Sequence, residues 1–468
     1  MSGERYGSIG KPSAADTHRE RAGLAARRVA MEILIQVESR AAFANVLLGA
    51  RLPALSPADR RLATRLVLGT VAWRGRLDYE IEHFVARSLS EIDLPSLQIL
   101  RMGLFQLRFL DRIPKHAAVD TAVELAKIES GTASRQRAGF VNAVMRRAAR
   151  EVFPLPDRSV DEAGAIAVEY SHPRWMVESF IQWFGKADAE SLLKADNEAA
   201  PNTIRINLAR ASREEILRRF AAEGVEIDSF GQAAETVILK GAPPFNSDCF
   251  RDGLFLPQTI SSQIIPRMLG PREGATVADC AAAPGGKATH LAELVGTSGR
   301  VLAIDVNLTG LGNTRRIADR LQHKNIQLVR ADVASVLPPI RPGGLDYVLL
   351  DAPCTGLGTM RAHPDIRWRV TLRDSVRISA LQQQMLANCA QLVRPGGAIV
   401  YSVCTISPLE GEQVAEAFLR THPEFTVDRD PPNGAEYGQW LDEQGYLRTR
   451  PDRGGLDGFF AARLIRKA

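Results

Sequence analysis

The sequence predicts a multidomain chain: an all-α N-terminal bundle, a small α+β middle domain and a C-terminal α/β domain on a doubly wound parallel sheet. Three observations carry this reading. Apolar residues keep a helical rhythm to about Arg150, with no strand-like alternation. A short strand–helix–strand piece follows. From about Asp252 strands, loops and helices alternate, which is the grammar of a parallel sheet. The length of 468 residues is too great for one ordinary domain. A composition of 45% hydrophobic and 24% charged residues is that of a globular chain, not a disordered one.

Residues 1–20 are polar and contain Gly and Ser, so a flexible tail is expected there. The tail has no apolar core of a secretory leader. The longest uncharged stretch, Pro395 to Leu409, carries Pro, Gly and Ser and is too short for a bilayer. Cys249, Cys280, Cys354, Cys389 and Cys404 form an odd, sparse set without CxxC, which argues against disulfides and against a zinc site. The expectation is a cytoplasmic, reduced, monomeric protein that needs no membrane and no metal.

The helical domain is expected over 21–155. Leu24, Val29, Ile33 and Val37 recur at helical spacing, and Leu97, Leu100, Leu104 and Leu107 mark a buried face. Breaks are expected at Leu52-Pro53, Leu94-Pro95 and Ile113-Pro114. The formal charge of +5 is unevenly spread: residues 1–150 hold 24 Lys and Arg against 15 Asp and Glu, the remainder 35 against 39. Arg supplies most of the excess, and Arg binds phosphate bidentately and stacks on bases. Arg135, Arg137, Arg146, Arg147 and Arg150 are the expected phosphate contacts.

Phe153 to Asp157 reads as a linker, and the middle domain is expected over 160–245. Thr203 to Asn207 alternates like a strand, Arg213 to Glu223 like an amphipathic helix, and Gly224 to Ile227 like a second strand. The last domain, 246–468, has strand candidates at Thr276–Ala278, Val301–Ile304, Ile326–Val329, Tyr347–Leu350 and Ala398–Tyr401. Phe425–Val427 and Phe459–Ala462 are late additions.

Ligands of such sheets bind beyond the carboxyl ends of the strands. The first strand runs into Asp279, Cys280, Ala281, Ala282, Ala283, Pro284, Gly285, Gly286 and Lys287, small residues that let a ligand approach the backbone. A P-loop needs Gly at 281 and Ser or Thr at 288, where this chain has Ala281 and Ala288. The dinucleotide pattern GxGxxG is absent. Asp305 ends the second strand, 20 residues beyond Gly285, where a carboxylate can accept from a ribose diol. Asp332 follows the third strand, where it could accept from an adenine amino group. A lone Asp at a strand end is more often a helix cap. Three strand ends in register point to a nucleoside cofactor, and the missing dinucleotide loop favours S-adenosylmethionine over NAD.

The fourth strand ends in Asp351-Ala352-Pro353-Cys354 and the fifth in Tyr401-Ser402-Val403-Cys404. Both Cys should face the cofactor crevice. Two thiols beside an Asp suit methylation of a weakly nucleophilic carbon such as carbon 5 of a pyrimidine. A thiolate adds to carbon 6, carbon 5 becomes enamine-like and attacks the methyl, and a base then removes its proton. The residues alone do not say which Cys adds.

The motifs AAAPGGK (281–287), DAPCTGLGTMRAHPDIRW (351–368) and YSVCT (401–405) closely resemble those of the RsmB/Nop2/Nsun family of RNA 5-methylcytosine methyltransferases. LGTVAWRGRLDY (68–79), LQILRMGLFQL (97–107), IPKHAAVDTAVELAK (113–127) and GFVNAVMRR (139–147) resemble a NusB-like helical RNA-binding domain. The resemblance covers about residues 21–468. It implies a class I, Rossmann-like methyltransferase domain acting on a cytosine of small-subunit ribosomal RNA. It also implies Cys404 as the nucleophile, Cys354 as the residue that assists release, as the base, and Asp351 at the N3 edge of the cytosine and near the methionine. Ala281 to Lys287 would hold S-adenosylmethionine, with Asp305 on the ribose and Asp332 on the adenine. Arg361, His363, Asp365, Arg367 and Trp368 are expected to grip RNA. A transfer RNA substrate, or an RNA-binding module with a silent catalytic domain, are the alternatives. Two positions depart from the family pattern: Val403 replaces a usual Thr or Ser, and Thr259 a usual Asp or Glu.

Overall fold

The computed structural model describes residues 14–40, 42–85, 87–128, 132–335 and 340–468. The start of the expected tail, residues 1–13, lies outside them. Residues 14–20 are helical instead, because Ala-Ala-Asp-Thr-His-Arg-Glu contains good helix formers that continue the next helix. The chain forms two compact units: Met1–Ser179 with His363–Trp368, and Phe180–Ala362 with Arg369–Ala468.

The first unit is all α: α1 (Ala14–Ser39), α2 (Ala44–Arg51), α3 (Pro57–Ala72), α4 (Arg74–Phe84), α5 (Leu94–Phe109), α6 (Lys115–Ala126), α7 (Thr132–Arg150) and α8 (Glu162–Tyr170). Of the expected proline breaks, Pro95 and Pro114 fall at the starts of α5 and α6, and Pro53 lies in a 3-10 turn after α2. Ser56 caps α3 ahead of Pro57, and Asp93 caps α5 with Pro95 in its first turn. Ile33, Leu66, Ile81, Leu97, Leu100, Leu104 and Phe105 share one buried core. Arg135, Arg146, Arg147 and Arg150 lie exposed on α7, whereas Arg137 is half-buried and pairs with Asp93.

His363–Trp368 corrects the sequence reading. Asp365 and Arg367 are buried in the helical unit and so are not turned outward for RNA, whereas His363 at the start of the segment is exposed. Arg367 is fully buried and donates to the carbonyls of Ala72 at 3.1 Å and Ser171 at 3.2 Å. Trp368 Nε1 donates to the Val71 carbonyl at 2.7 Å. The end of α3 leaves carbonyls without partners in the helix, and these two side chains satisfy them. Asp365 is buried with them. Arg361, in the second unit, donates to the carbonyls of Gly455 at 3.0 Å and Ala199 at 2.8 Å.

After α9 (Arg174–Phe184) and α10 (Lys186–Ala195), the second unit opens with a four-stranded antiparallel sheet. Its strands are β1 (Asn202–Ile206), β2 (Ile227–Phe230), β3 (Thr236–Leu239) and β4 (Phe255–Pro257), in the order β2-β3-β1-β4. Helices α11 (Arg213–Ala222) and α12 (Asp248–Arg251) complete this layer. The second strand starts at Ile227, later than expected, because Gly224 turns the chain with φ +70°. The fourth strand lies beyond the expected boundary at 245.

The larger sheet holds β5 (Thr276–Asp279), β6 (Arg300–Asp305), β7 (Ile326–Arg330), β8 (Leu345–Asp351), β9 (Val393–Val403), β10 (Phe425–Val427), β11 (Tyr446–Thr449) and β12 (Phe459–Arg466). Their order is β10-β12-β9-β8-β5-β6-β7, with β11 also on β12. The five strands β5 to β9 are parallel, but β10 and β11 run antiparallel to β12, and β12 antiparallel to β9. The sheet is therefore mixed, not wholly parallel as expected. Antiparallel neighbours need no crossover helix, so the chain can add its last strands through loops alone. Helices α13 (Ile260–Leu269), α14 (Gly286–Leu294), α15 (Leu308–Leu321), α16 (Leu372–Ala390) and α17 (Glu412–Thr421) flank the sheet, with separate cores on its two faces. From β5 the chain winds outward through β6 and β7, then crosses back to β8. The switch point thus lies between β5 and β8.

Candidate active site

The carboxyl ends of β5, β6, β8 and β9 converge at this switch point. β5 leads through Cys280 into the loop from Ala281 to Gly286, and Lys287 stands in the first turn of α14. Gly285 has φ +111°, and a Cβ there would lie 2.9 Å from the Thr314 backbone of α15, so the turn requires glycine. The Asp305 carboxylate accepts from the Ala283 amide at 3.0 Å and the Asn307 amide at 2.8 Å. These bonds tie the end of β6 to the loop and leave acceptor positions free on both oxygens. Asp332 is exposed and accepts from the Ala334 amide at 3.0 Å and the Ser335 hydroxyl at 2.7 Å.

Asp351 ends β8 between two donors: Lys287 Nζ at 2.6 Å and Ser402 Oγ at 2.8 Å. Burial alone would lower the pKa of Lys287, but the charge and hydrogen bond of Asp351, with Cys404 and Asp279, hold it above its usual value. Cys354 and Cys404 meet with their sulfurs 3.1 Å apart. The hydrogen bond to Cys404, burial, and the charges of Cys404, Glu410 and Asp351 push the Cys354 thiol well above the usual range. Either thiol can be the donor of this pair. Cys249, Cys280 and Cys389 are buried away from this pair.

Three residues that the sequence did not single out belong here. Asp279 is buried at the end of β5, and neither carboxyl oxygen has a hydrogen-bond partner. Burial and the charge of Asp351 push its carboxyl up to about 7. Such an acid suits a ligand that brings its own donor. Arg205, on β1 of the smaller sheet, is 1% exposed. It donates to the Gly286 carbonyl at 2.9 Å, Thr289 Oγ1 at 3.0 Å, Glu293 Oε1 at 3.0 Å and Gln258 Oε1 at 2.5 Å. Glu410 is fully buried beside the residue that follows Cys354. No sequence signal marks Arg205, and Asp279 shows only its place at the end of the first strand. Glu410 lies just past the YSVCT motif, and that position is the one clue.

The two departures are local. Val403 is fully buried in the apolar core on one face of the sheet, where a hydroxyl has no place. Thr259 is the N-cap of α13 and accepts from the Ser262 amide at 3.4 Å, a task that Asp also performs. A cleft of 680 Å³ opens elsewhere, at Phe230, Arg267 and Trp440. Its cations Arg267, Arg448 and Arg453 are all paired with carboxylates, so it carries no reactive set.

Comparison with known proteins bears on the fold and the family. Residues 266–465 match the model of the 16S rRNA methyltransferase RsmB/F family, residues 24–150 the NusB family, and residues 172–246 a ferredoxin-like domain of RsmF/B-like methyltransferases. The chain is 34% identical over 444 residues to the "Probable ribosomal RNA small subunit methyltransferase B" of Bacillus subtilis, covering 94% of this chain and 98% of that protein. It is 33% identical over 455 residues to the Synechocystis protein of the same name, covering 94% and 99%. The crystal structure of PH0851 superimposes with a TM-score of 0.79 at 27% identity, over 95% of this chain and 98% of that one. NSun6 from Pyrococcus horikoshii shares the fold, with a TM-score of 0.55 at 22% identity over 63% and 98%. This chain belongs to the RsmB/F family of methyltransferases and carries a NusB domain at its N-terminus.

Proposed function

We propose that this chain transfers the methyl group of S-adenosylmethionine to carbon 5 of a cytosine in small-subunit ribosomal RNA, through a covalent adduct of Cys404 with carbon 6. The observation that carries the reading is the pair of sulfurs 3.1 Å apart, beside an Asp351 held between Lys287 and Ser402. The names of the Bacillus and Synechocystis relatives supply the RNA class.

The residues present fit the cofactor. The loop from Ala281 to Lys287 would hold its methionine part, with Asp351 and the unpartnered Asp279 near the amino group. Asp305 would accept from the ribose and Asp332 from the adenine amino group. Val306 and Leu308 follow Asp305 and are 58% and 65% exposed, an apolar surface suited to the face of a base. When bound, S-adenosylmethionine supplies an electrophilic methyl group.

The residues then divide the work. Cys404 adds to carbon 6 as a thiolate, and the Lys287–Asp351 pair meets the N3 edge, where charge develops. After methylation, the carbon 5–hydrogen bond gives its electron pair to the reforming double bond. The carbon 6–sulfur pair returns to Cys404. Cys354 hands its proton to the departing sulfur and takes the proton from carbon 5, and one proton then leaves to solvent to restore the thiolate. A duplex target would have to be flipped out first.

The test is trapping on RNA containing 5-fluorocytosine. The unsubstituted chain should form a covalent complex that survives denaturing gels. Cys404→Ala should abolish it, and Cys354→Ala should leave the protein trapped even on ordinary RNA. Normal turnover by both variants would refute the mechanism. Bisulfite sequencing of RNA from a deletion strain identifies the substrate, and a 5-methylcytosine lost only from transfer RNA would move the assignment there.

A further inference from the structure

Glu410 has no place in the chemistry above, yet it is a carboxylate with 0% exposure bonded to the residue that follows Cys354. Its Oε2 accepts from the Thr355 amide at 2.8 Å and its Oε1 from the Thr355 hydroxyl at 2.5 Å. Gln382 of α16 donates to the Pro353 carbonyl at 2.8 Å and lies 3.4 Å from Glu410 Oε2. The residues before and after Cys354 are thus fixed by one cluster. The same cluster reaches the other thiol, since Thr355 Oγ1 lies 3.1 Å from Thr405 Oγ1, next to Cys404. Tyr401, on β9, donates to the Glu410 carbonyl at 2.5 Å and fixes the backbone of the acid itself.

A carboxylate is an expensive loop anchor. Burial pushes the pKa of Glu410 upward against the hydrogen bonds of Thr355 and Gln382. An apolar residue of similar volume would anchor a loop more cheaply, but it could not accept two bonds from one residue in fixed directions. The negative charge also reaches Cys354 and favours its protonated form.

We propose that Glu410 is the positioning residue that holds Cys354 against the Cys404 sulfur, so that release of the methylated base depends on it. The proposal rests on the covalent reading above. The distinction from a merely structural role lies in what accumulates. A destabilised protein loses adduct and product together, whereas a misplaced Cys354 lets Cys404 add and then fails to free it.

The experiment uses the full chain, transcribed small-subunit ribosomal RNA and S-adenosylmethionine, with protein–RNA adduct and released product scored separately. Glu410→Gln keeps the volume but turns a donor toward Thr355, and Thr355→Val removes the hydroxyl while keeping the amide. Both should accumulate adduct as Cys354→Ala does, and turnover should fall about tenfold to a hundredfold, the usual cost of a small misplacement. If Glu410→Gln melts early, Thr355→Val decides. If Cys354→Ala traps RNA and neither other variant does, the proposal is overturned and the covalent reading stands. If Cys354→Ala itself fails to trap, that reading of release falls and the proposal falls with it.

Discussion

Arg205 is buried and Glu293 nearly so; they lie 88 residues apart in sequence and are linked at 3.0 Å. Removing the guanidinium leaves Glu293 with His323 at 3.3 Å and takes one of its two side-chain donors from the Gly286 carbonyl, Thr289 Oγ1 at 3.1 Å remaining. Arg205→Met should therefore cost about 3 kcal/mol of stability, within the range for an orphaned buried charge. It should also weaken S-adenosylmethionine about tenfold through the loosened loop, as isothermal calorimetry would measure. Arg205→Lys should recover only part of the affinity, because an ammonium cannot reproduce the planar fork. Gly358 predicts a sharper loss. A Cβ there would fall 1.8 Å from the Gly458 carbonyl oxygen, and Gly358 is itself bonded to the Cys404 carbonyl at 3.2 Å. Gly358→Ala should lower the melting temperature and displace the Cys354 loop, with methyl transfer falling at least tenfold. Residues such as Asp351, Cys354 and Cys404 are legible in the sequence because a strand end places them and their chemistry is their own. Arg205 and Glu410 are not, because their meaning lies in partners that only the folded chain brings near.

Elements show the same division. The parallel strands are legible because each is a short apolar run between turn signals, followed by a helix. The strands missed, β3, β4 and β11, have three or four residues, and β4 ends in Pro257. Such runs hold together by pairing, not by pattern. The smaller sheet also supplies a pH response. Glu235, just ahead of β3, accepts from His290 of α14 at 3.1 Å and lies 3.7 Å from Arg267 of α13. Burial opposes its charge, but His290 and Arg267 outweigh that and lower its pKa from 4.5 to about 2. Burial and Arg205 hold His290 below its ordinary value, so Arg267 carries the attraction at neutral pH. A depressed acid stabilises the fold above its unfolded pKa and loses that contribution as pH falls. Thermal melts should thus lose up to about 3 kcal/mol between pH 4.5 and 2. Glu235→Gln should flatten the profile in that window.

At the scale of the whole molecule, the charge asymmetry was legible and its use is testable. Arg146, Arg147 and Arg150 lie exposed on α7, and among them only Arg147 has a carboxylate partner, Glu151 at 2.9 Å. Replacing all three by Glu should weaken RNA binding and reduce the salt slope by about two or more, with cofactor affinity little changed. Fluorescence anisotropy across a salt series reads both. Deleting residues 1–150 is the poorer experiment. It would strip Trp368 of its core and Arg367 of the Ala72 carbonyl, confusing lost phosphate contacts with a broken fold. The sequence concealed this because His363–Trp368 adjoins a catalytic motif, and nothing local says that it packs with helices read some 300 residues earlier.

That segment sets the terms for exchanging parts between relatives. A chimera cut at the linker near residue 155 would pair a foreign helical bundle with the resident His363–Trp368, and two families of side chains that grew up apart would meet in one core. The transplantable piece is instead discontinuous: the chain up to Ser179 together with its distant hexapeptide. Grafts that carry both should fold, and grafts that carry one should not.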